Sequence, residues 1–436
     1  MANIKAFRAW RYDQNKAGKI EELYTPPYDI INEKMQDDFY QINPYNMIRL
    51  EWGKKYPDDT QKNNRYTRAA TDYDKWRKEG ILLRDAEPAF YLYRQTFETN
   101  GQTKTRNGVL ATIRAEGYES GAVLPHEDTL PKHKADRLEL MRHTFANFSP
   151  IFGLYAQESR HIDRQLDTEA KKQHPVIDFS DADGVKHSIW KIDNPDVVTH
   201  IEAQFANLKI YIADGHHRYE TASFFAKETE GKGIINHDRI LIALVNLYDP
   251  GLVILPTHRL IKNIPDFDLN EFIGQLIISG FILTKMESKD RTKALSMLLE
   301  GMAKGGKEIP SFGLYAQGQF YLLQIHNKHG ALYLVDQQKS DAYRELDVTL
   351  LHTLILENLL GISPKELAEE GWVDYTQSTT EALEKVDNGQ SQMAFLLNST
   401  LVEELLAVAD SKDKMPQKST FFYPKMVAGL LINQLD

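Results

Sequence analysis

The 436-residue chain contains no cysteine. A disulfide framework, a thiolate zinc site and a cysteine nucleophile are thereby excluded. No apolar run is long enough to span a bilayer. The N-terminus, Met-Ala-Asn-Ile-Lys-Ala-Phe-Arg, lacks the apolar core of a signal peptide. The expectation is a cytoplasmic protein with no membrane partner. Positive charge is in deficit, with 52 Lys and Arg against 62 Asp and Glu, a formal net charge of −10. Binding to duplex DNA generally requires a basic face, so no nucleic-acid partner is expected. Pro and Gly do not gather into a low-complexity linker. A hydrophobic share of 42% with 26% charged residues marks a globular chain rather than a disordered one. The length suggests two to four domains.

Hydropathy patterning places the elements. Residues 89–97 and 103–115 read as two strands joined by an Asn100-Gly101 hairpin signal. Leu138, Met141, Phe145 and Phe148 are spaced as one apolar helical face. Residues 152–157, 186–192 and 240–248 read as strands, and residues 195–206 as a helix. Further on, residues 319–323 and 331–335 read as a second hairpin, and residues 348–360 as an apolar helix capped by Gly361. The hexapeptide Phe-Gly-Leu-Tyr-Ala-Gln occurs twice, at 152–157 and 312–317. It marks either duplicated units or coincidence.

The most informative run is 208–222. A β-branched strand ends in Asp214-Gly215, His216-His217-Arg218 follow, and a helix pattern begins. The first turn of a helix leaves backbone N–H groups without intrahelical partners, and its dipole favours anions. Such a corner is a ready phosphate site. Gly215 permits the tight turn, Arg218 brings a bidentate fork, and the histidines bring donors or metal ligands. Asp-Gly is equally an ordinary turn with Asp214 as a cap. It is the whole run directly after an apolar strand that favours function.

Two further segments join it. Pro125-His126-Glu127 follows a short strand and precedes a helix carrying Lys132, Lys134 and Arg137. The segment 415–425 is dense in hydroxyl, aromatic and basic groups, including Lys418 and Lys425. A carboxylate, a phosphate-cradling helix start and cations are what phosphoryl transfer to a hydroxyl requires. Mg²⁺ is usually held by one or two carboxylates plus phosphate oxygens, and Asp214 is the candidate carboxylate. Lys132, Arg137, Lys418 and Lys425 are candidate phosphate contacts, with solvated faces or snorkelling over aromatics as the plain alternatives. His126, His216 and His217 are zinc ligands by residue type, without a spacing that shows convergence. His258-Arg259 reads as a polar pair at a strand end.

The run Ala213-Asp214-Gly215-His216-His217-Arg218-Tyr219, the Pro26-Pro27-Tyr28-Asp29 start and the 415–425 segment resemble the bacterial and archaeal "domain of unknown function 1015" family over essentially the whole chain. More distantly, a strand followed by Asp-Gly-His-His-Arg and a helix is similar to the core motif of the ParB/sulfiredoxin superfamily. The match is closest to its free serine kinase branch, which uses ADP and also has an upstream Pro-His-Glu. The resemblance implies an α/β (α+β) protein with a ParB/sulfiredoxin-like core at 118–265, an N-terminal α+β segment at 1–117 and a C-terminal α/β region at 266–436. It implies Glu127 as catalytic base on a substrate hydroxyl and Asp214 as a metal-linked or orienting acid. Gly215, His216, His217 and Arg218 would cradle nucleotide phosphates, with His126 nearby. The cofactors implied are ATP or ADP with Mg²⁺, and the partner is a small hydroxyl-bearing molecule. Much longer spacing between the two motifs separates this chain from the compact kinase. The missing cysteine argues against sulfiredoxin chemistry, and the acidic charge against ParB-type DNA clamping. A nucleotide-binding regulatory switch and a metal-dependent phosphohydrolase are the other activities that the same residues support.

Overall fold

The apolar runs 90–93 and 240–245 lie in buried strands. A computed structural model describes residues 2–99, 101–127, 131–305, 309–368 and 371–436, with the side chains of 131–133 and 368 excepted. Asn100 of the hairpin signal and the Lys132 side chain lie outside the described residues. The fold is mixed α/β. It divides into two compact units, one formed by residues 1–125, 129–253 and 424–436, the other by 126–128 and 254–423.

The first unit is built on a nine-stranded mixed sheet. The strand Arg239–Asn246 lies near its centre, antiparallel to Gln102–Arg114 and parallel to Ile151–Tyr155. It is buried from Ile240 onwards, as expected of a strand covered on both faces. Phe90–Thr99 pairs with Gln102–Arg114 down to Thr99 opposite Gln102, with Gly101 at φ +71° in the turn. Next to Ile151–Tyr155 runs Ile210–Asp214, antiparallel, followed by the short parallel strand Val123–Leu124. Helices Pro131–Thr144 and His216–Thr229 pack together. Ile151, Ile210, Ile212, Ile242, Leu244, Tyr219 and Phe225 belong to one core with Ile113 and Leu92.

The apolar face expected over 138–148 is cut short. The helix ends at Thr144, and Phe145 turns to φ +48°. Phe148 therefore lies beyond the helix and is buried edge-on against Tyr73, with centroids 5.2 Å apart. Periodicity alone could not show this, because a left-handed residue breaks the phase without changing the apolar content.

The second unit holds a six-stranded sheet in which every pair is antiparallel. The hairpin expected from 319–323 and 331–335 does not form; only its first strand is present, and that strand pairs with the segment before it. Gln319–Ile325 pairs with Ser311–Ala316, whereas Lys328–Leu332 is a helix capped by Asn327, whose side chain accepts from Gly330 N. That cap outweighs the strand-like apolar content of 331–335. The apolar stretch from 348 is also altered: after the turn Asp347–Leu351 it widens into a π-helix, His352–Glu357.

The repeated hexapeptide falls on a buried strand in each unit. The neighbours differ. One copy has a parallel and an antiparallel partner, the other two antiparallel partners. What they share is a glycine at the closest approach. A Cβ on Gly153 would sit 2.8 Å from Ile242, and one on Gly313 3.0 Å from Leu298.

Candidate functional site

The Asp214 corner is built by an irregularity in its strand. The register of Ile210–Asp214 against Ile151–Tyr155 shifts between Ile212 and Asp214, so Asp214 faces Phe152 after a bulge. Bulges re-aim side chains at sheet rims. Gly215 then adopts φ +89° as the cap of His216–Thr229, with Tyr219 N donating to its carbonyl at 3.0 Å. A Cβ here would lie 2.8 Å from Ile151 Cγ2 and 2.9 Å from Arg218 Nη2. A residue with a side chain fits neither the angle nor the space. No acidic residue occupies the first turn, so the positive end of the helix is not offset within its own helix.

A relay of alternating charge leads to this corner. Arg137 Nη1 lies 3.5 Å from Glu51 Oε1 and donates to the Glu51 carbonyl at 3.0 Å. Ser149 Oγ donates to Glu51 Oε1 at 2.8 Å, and Arg218 Nη1 donates to Ser149 Oγ at 3.0 Å and to the Pro150 carbonyl at 2.8 Å. Arg218 Nη2 lies 3.6 Å from Asp214 Oδ2, and Lys425 Nζ 3.4 Å from Asp214 Oδ1. Burial pushes the Asp214 carboxyl up, but Lys425, Arg218 and His216 together outweigh it and hold the group well below the usual carboxylate range. Arg137 also pairs with Asp136, which pairs in turn with Arg65, so four cations (Arg65, Arg137, Arg218, Lys425) accompany three carboxylates (Glu51, Asp136, Asp214), a net charge of +1 at a helix N-terminus.

Lys425 is delivered by the C-terminal segment, which is anchored by two residues that the sequence reading missed. Arg106, 1% exposed, donates to the Gln95 side chain and to the Pro424 carbonyl, both at 2.5 Å. Gln95 Nε2 in turn donates to the Lys425 carbonyl at 3.2 Å. The available signal was an arginine where the strand Gln102–Arg114 passes from its polar half to its apolar half, where a buried charge needs partners.

The other expected contacts have different surroundings. Arg137 is 5% exposed, sandwiched over Tyr28 at 4.2 Å and Trp52 at 5.3 Å, and its Nε donates to Asp136 at 2.8 Å. It therefore braces the relay from behind instead of presenting a fork. Lys134 pairs with Glu220 at 2.5 Å. His216 is buried and His217 half-buried. One nitrogen of the Arg218 fork is committed to Ser149 and Pro150, leaving the Nη2 edge at the corner.

His126 and Glu127 belong to the second unit. His126 is fully buried, its Nε2 3.0 Å from Thr420 Oγ1 and 3.9 Å from Glu127 Oε1. Its carbonyl accepts from Met415 N at 2.6 Å, and Glu127 forms a parallel bridge with Met415. The expected Pro-His-Glu and 415–425 segments are thus joined here. Arg259, which had read as an ordinary strand-end polar residue, is 1% exposed. Its Nε donates to His352 Nε2 at 3.2 Å and its Nη2 to the Lys418 carbonyl at 3.2 Å. Burial holds the guanidinium down at about 10, against the opposing pull of Tyr375 and Glu127. Lys418 itself is exposed, at φ +59°.

Among the described residues no group of three or more His, Asp or Glu side chains is disposed to hold a metal ion. Both Asp214 oxygens face cations. The donor set does not fit a protein-held Mg²⁺ or a histidine zinc site.

A model of the family described as "protein of unknown function (DUF1015)" matches residues 4–349. The chain belongs to this family. Among solved structures the chain is similar to a conserved hypothetical protein from Pyrococcus furiosus, at 14% identity over 73% of this chain and 92% of the other, with a TM-score of 0.35. It is also similar to a free serine kinase in complex with AMP, at 14% identity over 72% and 86%, TM-score 0.34. A third likeness is to SbnI with a C-terminal truncation from Staphylococcus aureus, at 9% identity over 74% and 87%, TM-score 0.36. No curated protein matches the sequence.

Proposed function

We propose that the chain is a nucleotide-dependent phosphotransferase that phosphorylates the hydroxyl of a small metabolite. The observation that carries this reading is the corner itself: Asp214 held by Lys425 and Arg218 at the uncapped start of His216–Thr229, with a net positive relay behind it. Oriented N–H groups and cations near a helix start favour phosphate, and phosphoryl transfer depends mainly on positioning and charge stabilisation. Gly215, His216, His217, Arg218 and Lys425 take the nucleotide phosphates. Asp214 orients Lys425 and Arg218 toward them. A magnesium ion would be carried by the nucleotide, since no described side-chain group here is disposed to hold one, and would offset phosphate charge. Glu127 is the base, as the resemblance to the free serine kinase branch implies. It accepts the hydroxyl proton as the substrate oxygen bonds to the terminal phosphorus and the phosphorus–oxygen bond to the nucleotide breaks.

Calorimetric titration of ADP and ATP with Mg²⁺ tests the reading, followed by nucleotide consumption with added hydroxyl compounds, L-serine first. At least one nucleotide is expected to bind and to be consumed only with an acceptor. Replacing Lys425 by Met cancels the net positive charge of the relay and leaves Asp214 facing the phosphates. It should weaken binding about tenfold or more, the scale of one charge-assisted contact. Absence of nucleotide binding, or equal affinity in Lys425→Met, refutes the corner's role. Binding without acceptor-dependent consumption refutes the transferase.

A further inference from the structure

The second unit contains a cavity of about 440 Å³ that the phosphotransfer reading does not use. It is large enough for a small metabolite. Its wall carries two chemically distinct stretches.

One is cationic and hydroxylic. Arg259 lines it, buried, and among the described residues no carboxylate is hydrogen-bonded to it. Its hydrogen-bond partners are three main-chain carbonyls and His352, which burial and Arg259 keep neutral, while Tyr375 and Glu127 act on it through space. Beside it Thr257, 3% exposed, has a buried hydroxyl with no hydrogen-bond partner. An orphaned hydroxyl costs roughly 1–3 kcal/mol and is uncommon in a folded protein. A ligand oxygen accepting from both would satisfy the hydroxyl and give the buried guanidinium an anion.

The other stretch is acidic. Asp347 stands at the start of Asp347–Leu351, under the field of Glu404 from the helix Val402–Asp410. Asn398 and Lys328 offset that field only in part. Lys328 is itself paired with Glu345 at 2.9 Å, and Glu403 also lines the wall. Burial first, and Glu404 second, push the Asp347 carboxyl up to about 7. Two carboxyls crowded into one wall are relieved by a cation.

We propose that this cavity is a binding site for a short zwitterion, its protonated amine against Asp347 and Glu404 and its carboxylate or other oxyanion against Thr257 and Arg259. This site lies wholly within the second unit and requires no nucleotide. It therefore stands or falls separately from the Asp214 corner.

Calorimetric titration of the full chain at pH 7, without nucleotide, tests it with glycine, β-alanine and γ-aminobutyrate. Propylamine and propionate serve as singly charged controls. At least one zwitterion should bind with a Kd of about 1 mM or tighter, and both controls about tenfold more weakly. Binding should release up to about half a proton, because an ammonium ion draws the half-protonated Asp347 into its ionised form. Titration in two buffers of different ionisation enthalpy measures that release. Asp347→Asn should abolish it and weaken binding about tenfold, and Thr257→Val should weaken binding several-fold. Failure of all three zwitterions at about 10 mM, or unchanged affinity and proton release in Asp347→Asn, overturns the proposal. Equal binding of zwitterion and propylamine overturns its anionic half.

Discussion

Asp347→Asn should make the protein more stable, and only above mild acidity. The carboxyl ordinarily titrates near 3.9, whereas burial and the Glu404 field raise it to about 7 in the folded chain. The folded state therefore holds a proton that the unfolded state has given up. Wild-type stability is unimpaired below about pH 4, falls as pH rises from about 4 to 7, and levels off above the folded value. The limiting cost of that displacement is about 4 kcal/mol. Asp347 is only partly buried, so solvent screening reduces the expectation to about 1–2 kcal/mol. Asparagine has the shape of the protonated acid and avoids the cost. Urea unfolding of wild type and variant at pH 4.5, 6 and 8 is the assay. The curves should nearly coincide at the lowest pH. They should separate by about 1–2 kcal/mol at the highest, with the variant more stable and the denaturant slope unchanged. A gap independent of pH, or a variant less stable at pH 8, would falsify the reasoning.

Three other substitutions probe the first unit and the base. Gly215→Ala forces a side chain into φ +89° and against Ile151; it should cost about 1–3 kcal/mol in denaturant unfolding, and an unchanged midpoint would show that the corner relaxes freely. Arg106→Met removes the donors that hold Gln95 and the Pro424 carbonyl; beyond a loss of about 2–4 kcal/mol it should increase hydrogen exchange at residues 424–426, and unaltered exchange there would mean that the segment is anchored otherwise. Glu127→Gln should lower acceptor-dependent turnover by about 10²-fold or more while leaving nucleotide affinity within about twofold, and full activity would remove Glu127 from the chemistry.

Much of this protein was legible in its sequence because the signals are local. Apolar runs located the long strands, Asp214-Gly215 located the strand-to-helix corner, and an Asn-Gly pair located the first hairpin. These depend on backbone sterics and on the period of side-chain exposure, which act over a few residues. Where two local signals compete, the backbone follows the one with the better hydrogen bonding or packing. Phe145 ended a helix that periodicity would have carried on to Phe148, and the Asn327 cap turned an apolar strand pattern into a helix.

Partnership over long sequence distances was decided by tertiary structure alone. Lys425 meets Asp214 across 211 residues, and Arg106 reaches Pro424 across 318. Arg137 and Arg218 looked equivalent as phosphate ligands, yet burial between Tyr28 and Trp52 makes one a brace and leaves the other at the corner. The same holds for Thr257, Arg259 and Asp347, ordinary in sequence and set apart by what surrounds them. Charge and hydroxyl chemistry are written in residue types. Desolvation and pairing, which give those types their energies, exist only once the chain has closed around them.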